Sequence, residues 1–126
     1  KKTAQGVLYK VEKPGKGVNF KKGDEVMLKY KGMHIDGSVF DQSYKAVMFP
    51  VDETQLIKGF VDMLTNMKPG MKVTCIIPGK LAYGDRGNQN IAPNETLVFE
   101  IETGNLATAA DKKMAGGAQA VADSAK

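Results

Sequence analysis

The sequence has few of the side chains on which catalytic and metal sites are usually built. Its 126 residues include one cysteine, Cys75, one histidine, His34, and no tryptophan. A single cysteine excludes an internal disulfide and a multi-cysteine zinc site. A single histidine excludes two-histidine metal sites and leaves one candidate base for a hydrolytic triad. His34 leads into an Asp-Gly turn with no orienting motif beside it. We therefore expect it at a loop or strand end, and we predict no metal and no cofactor.

Long apolar runs and arginine are also scarce. No apolar run approaches the roughly 20 residues of a membrane-spanning helix, so no span is predicted. The formal net charge is +4, and residues 1–31 hold nine lysines against three acidic residues. Arg86 is the only arginine, and the lysines alternate with apolar residues as on a solvated strand face. We therefore expect a globular domain that does not bind nucleic acid.

Short segments with alternating apolar residues lie between the Pro-Gly and Asp-Gly turns. Residues 26–31, 71–77 and 96–102 each place apolar side chains at every second position and mostly polar ones between. This alternation is typical of antiparallel strands with one buried face. The positions predicted to be buried are Val26, Leu28 and Tyr30, then Val73, Cys75 and Ile77, and finally Leu97, Phe99 and Ile101. Cys75 is accordingly expected to be an unreactive core thiol.

One segment has the spacing of an amphipathic helix. Residues 52–55 read Asp-Glu-Thr-Gln, a capping-box pattern, and Pro69 with Gly70 marks the end. Between them, apolar residues recur at helical intervals: Leu56, Phe60, Met63, Leu64 and Met67. A helix of about 13 residues is predicted. The expected fold class is α+β, a curved antiparallel sheet of about five strands wrapped around one short helix.

The chain is predicted to have three parts. Residues 1–5 form a leading segment, residues 6–106 the domain, and residues 107–126 a tail rich in alanine, glycine and lysine. The tail has only two larger apolar residues, Met114 and Val121, so we predict that it is disordered. Because the first residue is Lys1, we expect the chain to be a processed or shortened form of a longer one.

Five blocks of the sequence resemble the FKBP-type peptidyl-prolyl cis–trans isomerases. Residues 30–43 resemble the pattern Y-x-G-x-x-x-D-G-x-x-F-D-x-S, and residues 56–60 resemble V-I-x-G-W. Ile-Pro at 77–78, Leu-Ala-Tyr-Gly at 81–84 and residues 91–99 follow in the family's order. The resemblance implies an FKBP-like fold and acceleration of X–Pro bond rotation without covalent chemistry. The alternative is an FKBP-like chaperone or peptide-binding module with little isomerase activity.

The resemblance also implies a site. Asp41, Tyr83 and Tyr30 would be catalytic, with Tyr83 and the Ile57 N–H holding substrate carbonyls and Asp41 paired with Tyr30. The implied substrate-binding residues are Phe40, Phe49, Leu56, Ile57, Phe60, Ile91 and Phe99. Phe60 would be the floor, where the family usually has tryptophan, and Val47 replaces an aromatic residue two positions before Phe49. From the residues alone, core packing explains Leu56, Phe60 and Phe99 equally well.

Residues 2–11 resemble the start of the isomerase domain in bacterial members of the macrophage-infectivity-potentiator and FkpA type. Membership of that subgroup implies a bacterial periplasm or cell surface, and dimerisation only if an N-terminal helical domain is present. The implied partners are proline-containing unfolded or partly folded proteins. Macrolides such as rapamycin and tacrolimus are implied inhibitors.

Overall fold

Six β-strands form one sheet in residues 1–106, the part of the chain that the computed structural model describes. The strands are β1 Leu8–Pro14, β2 Glu25–His34, β3 Val39–Gln42, β4 Val47–Pro50, β5 Met71–Ile77 and β6 Leu97–Leu106. A helix, α1, spans Lys58–Leu64, and a single 3₁₀ turn spans Gly79–Leu81. The α+β prediction is confirmed. The disorder predicted for residues 107–126 concerns a segment outside the described residues.

The order of the strands is β1-β5-β6-β2-β3, and every pairing is antiparallel. β4 also pairs with β2, so β3 and β4 lie one after the other along the same edge. The sheet therefore has six strands where about five were predicted. β3 and β4 have four residues each, too few to show an alternating pattern clearly.

The predicted strand faces are confirmed. The inward positions of β2, β5 and β6 are buried, each with at most 3% of its surface exposed: Val26, Leu28, Tyr30, Val73, Cys75, Ile77, Leu97, Phe99 and Ile101. Burial raises the pKa of the Cys75 thiol to about 12. Since the thiolate is the reactive form, Cys75 is an inert core residue, as expected.

The predicted helical face is confirmed, but the predicted start and the predicted end of the helix are both wrong. The five apolar positions of the pattern from Leu56 to Met67 are all buried. The helix begins at Lys58, however, and ends at Leu64, before Pro69, so it has seven residues instead of about 13. The Asp52 carboxylate accepts hydrogen bonds from the N–H and the hydroxyl of Thr54, at 2.9 and 2.8 Å. It therefore closes a separate turn before the helix, as aspartate commonly does.

A glycine lets α1 approach the sheet closely. A Cβ atom on Gly59 would lie 2.3 Å from a methyl carbon of Ile77 on β5. Any larger residue would push the helix away from the strand. This close packing places Phe60, the next residue, against the centre of the sheet.

The leading segment pairs with the start of the sheet. Its backbone bonds to β1, with the Tyr9 N–H donating to the Lys1 carbonyl at 2.8 Å. The Val7 N–H donates to the Thr3 hydroxyl at 3.0 Å, and Val7 is fully buried. Residues 1–7 thus pack as part of the domain.

Candidate functional site

Aromatic side chains from four strands and the helix meet on the inner face of the sheet. Phe60 of α1 is the centre, with ring centroids 5.2 Å from Phe49, 5.3 Å from Phe99 and 6.3 Å from Tyr30. The contact with Phe99 is edge-to-face, a favourable arrangement for two rings. Phe40 extends the cluster outward, with its ring 5.7 Å from Phe99 and again edge-to-face. The structure thus brings together five of the aromatic residues expected at the site.

Gly32 of β2 makes this ring arrangement possible. Its register partners are Asp41 on β3 and Phe99 on β6, so it lies between them in the sheet. A Cβ atom on Gly32 would lie 2.7 Å from the Phe40 ring and 2.9 Å from the Phe99 ring. Gly32 was not among the residues predicted for the site. A glycine inside a strand, which often marks a close approach, was the available signal.

The polar residues expected at the site also meet. The Tyr30 hydroxyl donates a hydrogen bond to the Asp41 carboxylate at 2.7 Å. The other Asp41 oxygen accepts from the Gln42 N–H at 2.9 Å. Burial, together with the nearby Asp41 charge, raises the pKa of both Tyr30 and Tyr83 above the usual tyrosine value. Both phenols therefore remain protonated at neutral pH and can donate hydrogen bonds.

Exposure separates the site residues into two groups. The buried group comprises Tyr30, Phe49, Leu56, Ile57, Phe60, Ile91 and Phe99, each with 5% or less of its surface exposed. Phe40, Asp41 and Tyr83 are half-buried, and Phe40 and Tyr83 pack against the edge of the core. A ligand approaching from solvent meets these three side chains first.

Ile91 is carried by a loop with its own hydrogen-bond framework. The Asn88 side chain accepts from the N–H groups of Asn90 and Ile91, at 2.8 and 2.9 Å. The Asn88 N–H donates to the Ile91 carbonyl at 2.8 Å. Farther along, Asn94 has a positive φ of 59° directly after Pro93, the sequence of a type II turn. These contacts hold Ile91 in position without a regular element.

His34 lies at the end of β2, as expected, beside the aromatic site. Its ring centroid is 5.4 Å from that of Phe40. Its Nδ1 atom contacts the carboxylate of Glu95, which lies 61 residues later in the sequence. This pair was not predicted, because nothing in the local sequence around either residue points to the other.

The described residues offer little for other chemistry. Within residues 1–106 no group of three or more histidine, cysteine or acidic side chains is arranged to hold a metal ion. No helix in the same range is long and apolar enough to cross a membrane. The site is an aromatic cluster with the Asp41 carboxylate and the Tyr83 phenol at its exposed edge, and the buried Tyr30 phenol bonds to that carboxylate.

Comparison with known proteins identifies the family of this site. Residues 16–103 match the sequence profile of the FKBP-type peptidyl-prolyl cis–trans isomerases. The FKBP-type isomerase FkpA of Escherichia coli K12 is 42% identical, over all of this chain and 47% of the relative. The isomerase Mip of Coxiella burnetii is 42% identical over 80% of this chain and 45% of the relative. The chain therefore spans about half the length of these curated relatives.

The fold identifies the same family. The crystal structure of a peptidyl-prolyl isomerase from Pseudomonas syringae superposes with a TM-score of 0.79. It is 35% identical, with 86% of this chain and 80% of that chain covered. The fold class and the isomerase family predicted from the sequence are confirmed. The chain belongs to the family of FKBP-type peptidyl-prolyl cis–trans isomerases.

Proposed function

We propose that this domain accelerates cis–trans rotation of X–Pro peptide bonds at the aromatic cluster. The observation that carries the proposal is the Tyr30–Asp41 hydrogen bond beside the rings of Phe40, Phe60 and Phe99. It supports an apolar site with one fixed polar edge. The reaction breaks no covalent bond, so the site needs no nucleophile and no general base.

The energetics of rotation suit an apolar site. The barrier to rotation is about 18–20 kcal/mol, because resonance gives the C–N bond partial double-bond character. The twisted amide loses this resonance, and its carbonyl becomes less polar. An apolar surrounding therefore favours the twisted amide over the planar one, which is preferential binding of the transition state. Lowering the barrier by about 4–5 kcal/mol would give an acceleration of some thousands-fold.

The exposed edge of the site receives the substrate in this proposal. The prolyl ring enters beside Phe40 and Tyr83 and contacts Phe60, Phe99 and Ile91 after small movements of the rings. The Tyr83 hydroxyl and the Ile57 N–H, at the start of α1, donate to substrate carbonyls. N–H groups at a helix start have no carbonyl partner within the helix, which suits Ile57 to this role.

Asp41 acts through its fixed position. The Tyr30 hydroxyl and the Gln42 N–H hold its two oxygens, so the carboxylate stays at the cluster edge. There it lies close to the proposed position of the rotating amide. A fixed charge of this kind costs no reorganisation during the reaction.

The substrates, inhibitors and cellular location follow from the family likeness. We propose proline-containing unfolded or partly folded proteins as substrates and macrolides such as rapamycin and tacrolimus as inhibitors. Dimerisation would require a helical domain preceding these residues. Location in a bacterial periplasm or at the cell surface stays a prediction from residues 2–11.

A tyrosine pair tests the site assignment. Tyr83→Phe removes one hydroxyl from the exposed edge of the cluster, whereas Tyr44→Phe removes one from a side chain that is 86% exposed. One hydrogen bond to substrate contributes about 0.5–1.5 kcal/mol, so Tyr83→Phe should lower kcat/KM about two- to tenfold. The measurement is isomerisation of a peptide with an apolar residue before proline.

The outcomes separate the site assignment from the function itself. Tyr44→Phe should match the wild type, and a Tyr83→Phe variant with unchanged kcat/KM would contradict the role given to Tyr83. Wild-type protein without isomerase activity would contradict the proposed function. If that protein still suppressed aggregation of a proline-free substrate, the binding-module alternative would replace it.

A further inference from the structure

We infer that His34 and Glu95 form a positioning pair that holds the Ile91 loop, residues 88–95, against the edge of the aromatic cluster. The inference rests on the proposed function, in which Ile91 contacts the prolyl ring. It assigns the pair no contact with substrate. The pair acts through the backbone next to Ile91.

One carboxylate makes both connections. Oε1 of Glu95 accepts a hydrogen bond from the Ala92 N–H at 2.8 Å, directly after Ile91. Oε2 of the same carboxylate contacts Nδ1 of His34 at the end of β2. The two side chains are 26% and 19% exposed for His34 and Glu95, so water reaches the pair only in part. The carboxylate thus links the loop to the sheet.

The loop turn does not need this carboxylate in order to close. The Glu95 N–H already donates to the Ala92 carbonyl at 3.2 Å, and Pro93 followed by Asn94 suits the turn. The Asn88 side chain closes the earlier part of the loop. What the carboxylate adds is a side-chain connection from this preformed loop to β2, next to the backbone pairing of His34 with Leu97.

The histidine end of the pair is itself held in place. The His34 N–H donates to the Ser38 carbonyl at 2.8 Å, and the Gly37 N–H donates to the His34 carbonyl at 2.9 Å. The His34 ring lies against Phe40 at the exposed edge of the cluster. His34 therefore gives Glu95 a fixed partner beside the substrate entrance.

Hydrogen bonds at the pair favour the ionised form of the Glu95 carboxyl, and the nearby Asp36 charge opposes it. Glu95 and Asp36 are the carboxylates that interact with His34, and the pKa of each is lowered. For Glu95 the main cause is the hydrogen bond with His34, followed by that from the Ala92 N–H. For Asp36 it is hydrogen bonding by Ser38. The ring of Phe40 covers the side of His34 toward the cluster.

Four variants test the pair. Glu95→Gln removes the charge, His34→Leu removes the donor while keeping an apolar contact with Phe40, and the third variant combines both. Glu102→Gln is the control, a glutamate on β6 whose register partners are Lys29 on β2 and Lys72 on β5, away from the pair. Each single change in the pair should raise KM for an X–Pro peptide about three- to tenfold, with kcat within about twofold of wild type. The combined variant should match the singles, because both changes break one interaction.

Amide hydrogen exchange gives a readout that does not depend on activity. His34 does not bond to Ala92 directly, so it can affect the Ala92 N–H only through Glu95. We therefore expect His34→Leu to speed exchange of the Ala92 N–H at least about threefold. Unchanged Ala92 exchange, or effects on KM that add in the combined variant, would overturn the inference. So would a loss of stability without a change in KM. An inactive wild type would contradict the proposed function, while exchange would still decide the role of the pair. If His34→Leu does not fold, His34→Gln takes its place.

Discussion

The inner wall and the rim of the candidate site are built in different ways. The inner wall consists of Tyr30, Phe49, Phe60 and Phe99, which regular strands and the helix place at the core. The rim consists of Phe40, Asp41 and Tyr83 at the exposed edge, together with Ile91, which is buried but carried by a loop. β3 carries the first two, and Tyr83 also lies in a loop. Each wall residue contacts at least two other rings, whereas hydrogen bonds hold Asp41 and Ile91 at the rim.

This difference separates stability from function. Removing a wall ring leaves a cavity among residues that many other side chains hold in place, so the cost falls on the whole fold. Removing a rim contact changes where a few atoms lie relative to substrate and leaves the core intact. The two regions should therefore respond differently to substitutions of similar size.

Truncating a wall ring should have the largest effect on the free energy of unfolding. Phe99 is fully buried between Phe40 and Phe60, so Phe99→Ala should lower the free energy of unfolding by about 3–5 kcal/mol. Tyr83→Phe, a change at the rim, should cost less than about 1.5 kcal/mol. Urea unfolding of both variants measures the contrast. Similar losses in the two would contradict the division into wall and rim.

Adding one methyl group at the boundary between wall and rim should have the next largest effect. Gly32→Ala would place Cβ within 3 Å of both the Phe40 and the Phe99 rings. Overpacking of this kind costs about 1–3 kcal/mol, and here it would also displace Phe40 at the rim. We expect lower stability and lower kcat/KM together.

The matched control is Gly37→Ala, at a hairpin turn where nothing lies within 4 Å and φ is 93°. The strain at Gly37 should reduce stability alone. If kcat/KM changed in the same proportion to stability in Gly32→Ala and in Gly37→Ala, a boundary role for Gly32 would be contradicted.

The wall could be predicted from the sequence far better than the rim. Burial alternates with period two along β2, β5 and β6, so Tyr30 and Phe99 could be assigned inward positions from their neighbours alone. Phe60 and Leu56 followed from helical spacing, although the helix start at Asp52 was wrong. A local side-chain hydrogen bond decided that start, and hydrophobic spacing carries no information about it.

Rim residues were assigned from family likeness, because their positions depend on contacts distant in sequence. Asp41 meets Tyr30 across two strands, and Glu95 meets His34 across 61 residues. Neither partner leaves a local trace that identifies the other. The short strands β3 and β4 escaped clear prediction for the related reason that four residues show too little of a pattern.

Replacing Phe60, at the centre of the wall, with a larger ring should show through ligand binding whether the wall contacts the ligand. Phe60→Trp should bind a macrolide such as rapamycin more tightly if Phe60 is the floor, because a few tens of Å² of added apolar contact contribute about 1 kcal/mol. This corresponds to about fivefold in Kd. Phe60 is fully buried among three rings, so the larger indole must be accommodated by small shifts of its neighbours. Titration calorimetry beside urea unfolding measures both. Unchanged or weaker binding in a stable variant would show that Phe60 is only a core residue.

The smallest expected effect concerns the rim and depends on pH. The His34 contact and the Ala92 N–H lower the pKa of the Glu95 carboxyl in the folded protein. A carboxyl whose pKa is lowered by folding contributes stability above its unfolded pKa of about 4.3. That contribution is lost as the pH falls through the lower, folded value. The difference in unfolding free energy between wild type and Glu95→Gln should be below about 1 kcal/mol near neutral pH and should shrink toward acid. When His34 is already replaced by leucine, the difference in unfolding free energy caused by Glu95→Gln should lose most of its pH dependence. Urea unfolding at a series of pH values measures both differences. If the difference in unfolding free energy between wild type and Glu95→Gln widened toward acid, Glu95 would not be held by this pair.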